Sequence, residues 1–101
     1  MLHWVSGIVL AVGLGFAAAA QDLPDAVTEA YVAYTEALEA GDHAAAAEAA
    51  RTAWRAAESS GVDLETTAIL ADNYAQLASA LGQLEQAEDA YVAAAEHLSE
   101  A

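Results

Sequence analysis

Apolar residues recur at helical spacing from Pro24 to the end of the chain. The first stripe consists of Val27, Tyr31, Tyr34 and Leu38, at i, i+4, i+7 and i+11. A second stripe of the same spacing consists of Leu70, Tyr74, Leu77 and Leu81. Only a period of 3.6 residues places each stripe on one face, so two amphipathic helices are predicted.

Each of these stripes is followed by a segment rich in small residues. The first segment carries Ala46, Ala50, Ala53, Trp54 and Ala57, and the second carries Leu84, Ala87, Tyr91, Ala94 and Leu98. Alanine at these intervals lets two helix backbones approach closely, so each segment is predicted to pair with the helix before it. Trp54 is predicted to pack against the third helix, near Ile69 or Leu70.

Turn and capping residues separate these four segments. Gly41 and Gly82 can adopt the left-handed backbone that ends a helix, and residues 59–61 read as a loop. Side-chain caps are predicted at three helix starts, by Asp22 or Asp25, by Asp42 and by Asp63. No strand pattern occurs, so an all-α fold of two antiparallel helical hairpins is predicted.

The two hairpins share a sequence pattern 41 positions apart. Its copies are Gly41-Asp42-His43-x-x-Ala46-x-x-x-Ala50-x-x-Ala53 and Gly82-Gln83-Leu84-x-x-Ala87-x-x-x-Tyr91-x-x-Ala94. With Asp72-Asn73-Tyr74-Ala75 ahead of the second copy, the pattern resembles the tetratricopeptide repeat in its longer variant of about 42 residues. The resemblance covers residues 21–101 and implies a short α-solenoid of four helices.

The resemblance also implies a concave groove, lined by the first helix of each hairpin. The groove residues would be Thr28, Tyr31, Thr35, Glu39, Asp72, Asn73, Gln76 and Ser79. Grooves of this family typically bind extended or helical peptides, and some members use an Asn at the position of Asn73 to hold a peptide backbone or carboxylate. Those sites also need Lys or Arg nearby, and this chain has no Lys. An acidic C-terminal tail is therefore not the expected ligand.

Residues 1–20 differ from the rest of the chain. They contain no acid, an apolar run over residues 5–16 and four alanines before Gln21, which is the layout of a signal peptide cleaved after Ala20. This predicts an exported protein, periplasmic or extracellular. About 20 apolar residues can also span a bilayer, so an uncleaved N-terminal anchor is the alternative and would be the chain's one membrane contact. The chain has no Cys, which excludes disulfides.

Charge narrows the range of partners. The chain is 57% hydrophobic, largely through Ala, and has a net charge of −14, with all 16 acids beyond residue 20. This charge disfavours nucleic acid and favours a basic protein or peptide partner, although the acids could simply solvate an Ala-rich surface. Arg51 and Arg55 are the only basic side chains besides histidine, and we expect them to pair with Glu48 and Glu58.

The polar residues form no recognisable catalytic, cofactor or metal site. His3, His43 and His97 are far apart in the chain, and Glu96, His97 and Glu100 are better read as a solvated helix end than as cation ligands. Glu85, Glu88 and Asp89 provide no paired acid and base beside an identifiable pocket. A protein without enzymatic activity, cofactor or metal is predicted.

Two functional hypotheses follow. The first is an exported, non-catalytic protein interaction or scaffold module of the tetratricopeptide type, which could form the N-terminal part of a larger envelope protein. Two repeats leave one end of the array uncovered, so a homodimer, a partner or further sequence is expected to cover it. The alternative is a small acidic four-helix exported protein that binds cations or a small ligand, in a pocket lined by Tyr31, Tyr34, Tyr74 and Trp54.

Overall fold

The structure is a computed structural model that describes residues 23–100. Its elements are α1 (Asp25–Glu39), α2 (His43–Ser59), α3 (Leu64–Ala80) and α4 (Leu84–Glu100). The described part of the chain contains no strand, and the prediction of an all-α fold with four helices is confirmed. The predicted signal peptide, its cleavage site and the cap at Asp22 lie outside the described residues.

The same turn closes both hairpins. Gly41 has a φ of 77° and Gly82 a φ of 80°, a backbone that L side chains rarely adopt. After the first helix, the Asp42 N–H donates to the Ala37 carbonyl at 2.9 Å, and the Gly41 N–H donates to the Leu38 carbonyl at 3.0 Å. This is the Schellman pattern that satisfies the last carbonyls of a helix, and it recurs around Gly82.

Helix starts follow the predictions at two places and differ at a third. The Asp42 carboxylate accepts a hydrogen bond from the Ala45 N–H, and the Asp63 carboxylate accepts one from the Thr66 N–H, both at 3.1 Å. The prediction that Asp25 caps α1 is wrong, because Asp25 is already helical and Pro24 occupies the capping position. The fixed φ of proline suits this entry, and its carbonyl accepts from the Thr28 N–H at 3.1 Å.

The helices pack in chain order. α1 packs against α2, α2 against α3, and α3 against α4, so each hairpin is antiparallel and the two hairpins meet where α2 contacts α3. The small residues predicted to face inward on α2 are buried, and Trp54 is buried with them. None of the helices in residues 23–100 is long and apolar enough to cross a membrane.

Two stripes are less buried than their spacing indicated. Leu81 lies beyond the end of α3 and is exposed. On α4, Ala87 and Ala94 are buried against the rest of the fold, but three larger members of the predicted stripe are exposed, namely Leu84, Tyr91 and Leu98. Helical spacing identified an apolar face, but burial also needs a neighbour, and among the described helices α4 packs closely only on α3.

Candidate functional site

The predicted groove residues lie on α1 and α3, with very different exposures. Thr28, Tyr31 and Thr35 of α1 and Asp72 of α3 are half-buried, while Asn73 is buried. The exposed members are Glu39, Gln76 and Ser79. The predicted groove residues therefore comprise half-buried polar and aromatic side chains, one buried amide and three exposed polar side chains.

The two tyrosines of α1 have raised pKa values, and one of them is influenced by a charge on α3. The pKa of Tyr34 is raised from 10.0 to about 12, mainly by burial and in smaller part by the negative charges of Tyr31 (when ionised) and Asp72. Asp72 of α3 is thus close enough to Tyr34 of α1 for its charge to act on the hydroxyl, although α1 and α3 do not pack directly on each other within residues 23–100. Burial also raises the pKa of Tyr31, whose ring centre lies 5.5 Å from that of Tyr34.

Polar side chains of the surface are held by local hydrogen bonds. The Gln76 amide donates to the Asp72 carboxylate at 2.7 Å, one turn apart on α3. On α1, the Thr28 hydroxyl donates to the Pro24 carbonyl at 3.4 Å and the Thr35 hydroxyl donates to the Val32 carbonyl at 2.9 Å. The threonine hydroxyls thus use their protons on the backbone, and their oxygens can accept from a ligand.

Asn73 differs from its neighbours on this surface. Its side chain is only 6% exposed, and its amide nitrogen Nδ2 has no hydrogen-bond partner within the described residues. A buried amide donor without an acceptor costs stability, typically about 1–3 kcal/mol. Sequence reasoning assigned Asn73 to the groove but did not foresee this burial, which depends on the helices packed around α3.

A second polar cluster lies on α2, away from the predicted groove. The expected Arg55–Glu58 ion pair is present, with 3.2 Å between Nη1 and Oε1. The expected Arg51–Glu48 pair does not form, and no carboxylate within residues 23–100 pairs with Arg51. An exposed pair of this kind gains little energy, so local spacing alone does not hold it together. Instead, Arg51 faces a cleft at the junction of the hairpins.

Trp54 stands at the centre of this cluster. Its ring stacks on Tyr74 of α3 with 5.8 Å between ring centres, and Arg55 Cζ lies 4.2 Å from the ring centre on α2. The prediction that Trp54 packs against α3 is confirmed, with Tyr74, one turn beyond Leu70, as its ring partner. The stack joins the two hairpins.

Glu58 extends the cluster to α4. Its Oε2 accepts from the Trp54 indole nitrogen at 3.0 Å, and His97 Nε2 lies 3.3 Å from the same oxygen. Sequence reasoning placed His97 beside Glu96 and Glu100 and missed this contact, because residues 39 positions apart carry no local signal. Within residues 23–100, no three His or acidic side chains converge in a way that could hold a metal ion.

The cleft beside this cluster is small. It has a volume of about 140 Å³ and is lined by Arg51, Trp54, Arg55, Tyr74, Gln86 and Asp89. Ligand pockets usually exceed roughly 300 Å³, so the cleft could hold a single carboxylate or amide group but not a larger ligand. Tyr31 and Tyr34 do not line this cleft. Of the four aromatic residues suggested for a small-ligand site, Tyr31 pairs with Tyr34, and Trp54 stacks on Tyr74.

Comparison with protein-family models, with curated proteins and with solved structures finds no match to this chain. The predicted groove residues on α1 and α3 combine a half-buried tyrosine with threonine oxygens and a buried amide.

Proposed function

We propose that this chain is a non-catalytic protein interaction module of the tetratricopeptide type, exported by its N-terminal segment. In this proposal a peptide segment of a partner lies along the surface formed by α1 and α3. The partner is a protein or peptide, with basic residues favoured by the net charge of −14.

The observation that carries the proposal is the equivalence of the two hairpins. Both close with a glycine at positive φ and the same pair of backbone hydrogen bonds, and both continue into a helix of 17 residues. α2 packs between α1 and α3, and the influence of the Asp72 charge on Tyr34 supports a surface to which both α1 and α3 contribute. Repeated hairpins arranged in this way create an extended surface rather than a pocket.

Asn73 supports the location of the binding surface. A buried donor without an acceptor weakens the fold, so its presence is easier to understand if a ligand supplies the acceptor. A peptide carbonyl is an acceptor of the right kind, and the neighbouring Asp72 and Gln76 could bind the N–H groups and carbonyls of the same peptide.

Site-specific photo-crosslinking tests the proposal. The full chain, expressed in its native cells, carries a benzoylphenylalanine in place of the exposed Gln76, and a control carries it in place of the exposed Thr52 on the outer face of α2. We expect one discrete protein adduct from position 76 and none from position 52. Adducts of the same protein from both positions, or from neither, would contradict a peptide-binding surface on α1 and α3.

An Asn73→Leu exchange separates binding from folding. Leucine has a similar volume and removes the unpartnered donor, so we expect an unchanged or higher melting temperature together with loss of the adduct from position 76. Retention of the adduct in a folded Asn73→Leu protein would remove Asn73 from the binding surface. Circular dichroism melting provides the stability measurement.

A further inference from the structure

The two Ala-rich helices share one register. α2 and α4 each contain 17 residues and begin two positions after the glycine of their hairpin turn. Adding 41 to a residue number of α2 therefore gives the equivalent position of α4. One face of α2 is formed by Ala47, Ala50, Trp54 and Ala57. Their equivalents on α4 are Glu88, Tyr91, Ala95 and Leu98.

This face is covered on α2 and uncovered on α4. Ala50 and Ala57 are 2% and 0% exposed, and the Trp54 ring on the same face stacks on Tyr74 of α3. Their equivalents Tyr91 and Leu98 are 43% and 56% exposed. The fold therefore contains one example of a helix docked on this face and one copy of the face with no helix on it within residues 23–100.

The uncovered face of α4 carries large apolar side chains in a regular row. Leu84, Tyr91 and Leu98 are spaced seven residues apart, so they lie in one line along the helix, and Val92 is exposed beside them. Most other surfaces of the described chain expose only small or polar residues, with Val32 and Leu81 as the further large apolar side chains. A row of this length on a small domain marks an interaction surface.

We propose that the outer face of α4 docks an amphipathic basic helix of a partner protein, in the way that α2 docks α3. The apolar stripe of that helix would cover Tyr91 and Leu98 at the positions that are covered on α2, and it would extend over Leu84, whose equivalent His43 is exposed on α2. Its Lys or Arg residues would pair with the acids beside the row. This surface is separate from the one on α1 and α3, and the proposal stands independently of it.

The acidic residues of α4 indicate that the partner helix is basic. α4 carries five acids and no Lys or Arg, namely Glu85, Glu88, Asp89, Glu96 and Glu100. One of these acids, Glu88, is equivalent to Ala47 of α2, and Ala47 is buried. A helix covering the row must come close to this carboxylate, and a basic side chain offsets the cost of its partial burial.

The same charges disfavour a second copy of the chain as the occupant. α1 is the other terminal helix, and its charged residues are the acids Asp25, Glu29, Glu36 and Glu39. Packing α4 of one copy on α1 or α4 of another would place acid against acid. The two arginines lie on α2, which exposes no large apolar side chain that could cover the row. An anionic membrane is disfavoured for the same electrostatic reason.

Two helical peptides test the proposal with the full chain. Both have the sequence of residues 64–80 and the same hydrocarbon staple, since this is the helix that covers the equivalent face of α2. In the basic peptide Glu65, Gln76, Ser79 and Ala80, which are exposed on α3, are replaced by Lys. In the acidic peptide Glu occupies all four positions. We expect fluorescence anisotropy to show at least about tenfold tighter binding of the basic peptide, with a smaller ratio in high salt.

Variants of the exposed row locate the binding. Tyr91→Ser combined with Leu98→Ser should weaken binding of the basic peptide at least about tenfold without unfolding, because both side chains are exposed. Glu88→Lys should shift the preference toward the acidic peptide. Gln76→Leu, on the α1 and α3 surface, is the matched control and should leave binding unchanged.

Several outcomes would overturn the proposal. Equal binding of the two peptides, or no effect of the Tyr91 and Leu98 exchanges, would remove the basic helix as the occupant. Loss of binding in Gln76→Leu would place the peptide on the α1 and α3 surface instead. Dimerisation in sedimentation equilibrium that the Tyr91 and Leu98 exchanges abolish would assign the face to a second copy. Binding to neutral phosphatidylcholine vesicles that the Tyr91 and Leu98 exchanges abolish would assign this face of α4 to a membrane.

Discussion

α2 and α4 are the same element in two settings. Both are 17-residue helices that follow a Schellman turn and pair with the helix before them through small residues. α2 packs between α1 and α3, whereas α4 packs closely on α3 alone among the helices of residues 23–100. Their residues differ accordingly, since α2 has Ala50 and Ala57 where α4 has the larger Tyr91 and Leu98. Small residues occur where a second helix comes close, and large ones where none does within residues 23–100.

The two helices also differ in their charged residues and in the contacts that these residues make. The charged residues of α2 are two acids and two arginines, and Arg55 and Glu58 take part in contacts around the Trp54 ring. α4 carries acids without Lys or Arg, and its one imidazole, His97, turns toward Glu58 of α2. Arg55 and Glu58 of α2 thus make contacts at the junction of the hairpins, while most of the charged side chains of α4 face solvent.

The largest expected change in stability comes from replacing a small residue of α2 by the large residue at the equivalent position of α4. Ala50→Tyr places a large ring where α3 packs against α2, and overpacking of this kind should lower the free energy of unfolding by about 3 kcal/mol. The reverse exchange, Tyr91→Ala, should change it by less than about 0.5 kcal/mol because Tyr91 is exposed. Urea unfolding followed by circular dichroism measures both. Similar losses in the two variants would mean that the faces do not differ in packing.

A second exchange compares the two sides of α4 itself. Ala87 is buried against the rest of the fold, so Ala87→Leu should cost about 1–3 kcal/mol through overpacking. Ala95→Leu, on the exposed side of the same helix, is the control and should be nearly neutral. Thermal melting distinguishes the two, and an unchanged melting temperature for Ala87→Leu would contradict close packing within the second hairpin.

The smallest effect at neutral pH concerns two tyrosines in different surroundings. The pKa of Tyr34 is raised from 10.0 to about 12, mainly by burial, so the folded protein holds this proton more tightly than the unfolded chain. The stabilisation is fully present below pH 10 and is lost as the pH rises from 10 toward 12. Denaturant unfolding should therefore show falling stability across this window.

Tyr34→Phe should make that alkaline loss smaller, because the titrating hydroxyl is removed from the buried site. Tyr91→Phe, at the exposed position on α4, is the comparison and should leave the Tyr34 contribution in place. A pH profile that Tyr34→Phe leaves unaltered would show that another group causes the loss. The difference in tyrosinate absorbance between the unmodified protein and Tyr34→Phe, recorded in the same titration, shows where the Tyr34 ring loses its proton.

Local sequence signals predicted the helices and most of their ends. Gly41 and Gly82 end helices because they can take a positive φ, and Asp42 and Asp63 start them because their carboxylates reach a nearby backbone N–H. The start of α1 was predicted less well, since proline and aspartate are both common there and only the backbone geometry distinguishes Pro24 as the cap.

Site predictions fared differently because they depend on neighbours distant in sequence. The ion pair of Arg55 with Glu58 follows from spacing on one helix, but the contact of His97 with Glu58 spans 39 positions and could not be read from either segment. The resemblance to the tetratricopeptide repeat predicts a groove position for Asn73. Its burial and its unpartnered amide nitrogen became visible only with the surrounding helices in position.

The sequence by itself determined the number of helices, their turns, their capping residues at two starts and the apolar face of each, because these depend on backbone conformation and on periodicity within about 17 residues. Tertiary structure decided which apolar faces are buried, because burial needs a second surface. It covered the face of α2 with α3 and placed the Trp54 ring on Tyr74. The equivalent face of α4 remains exposed within the described residues.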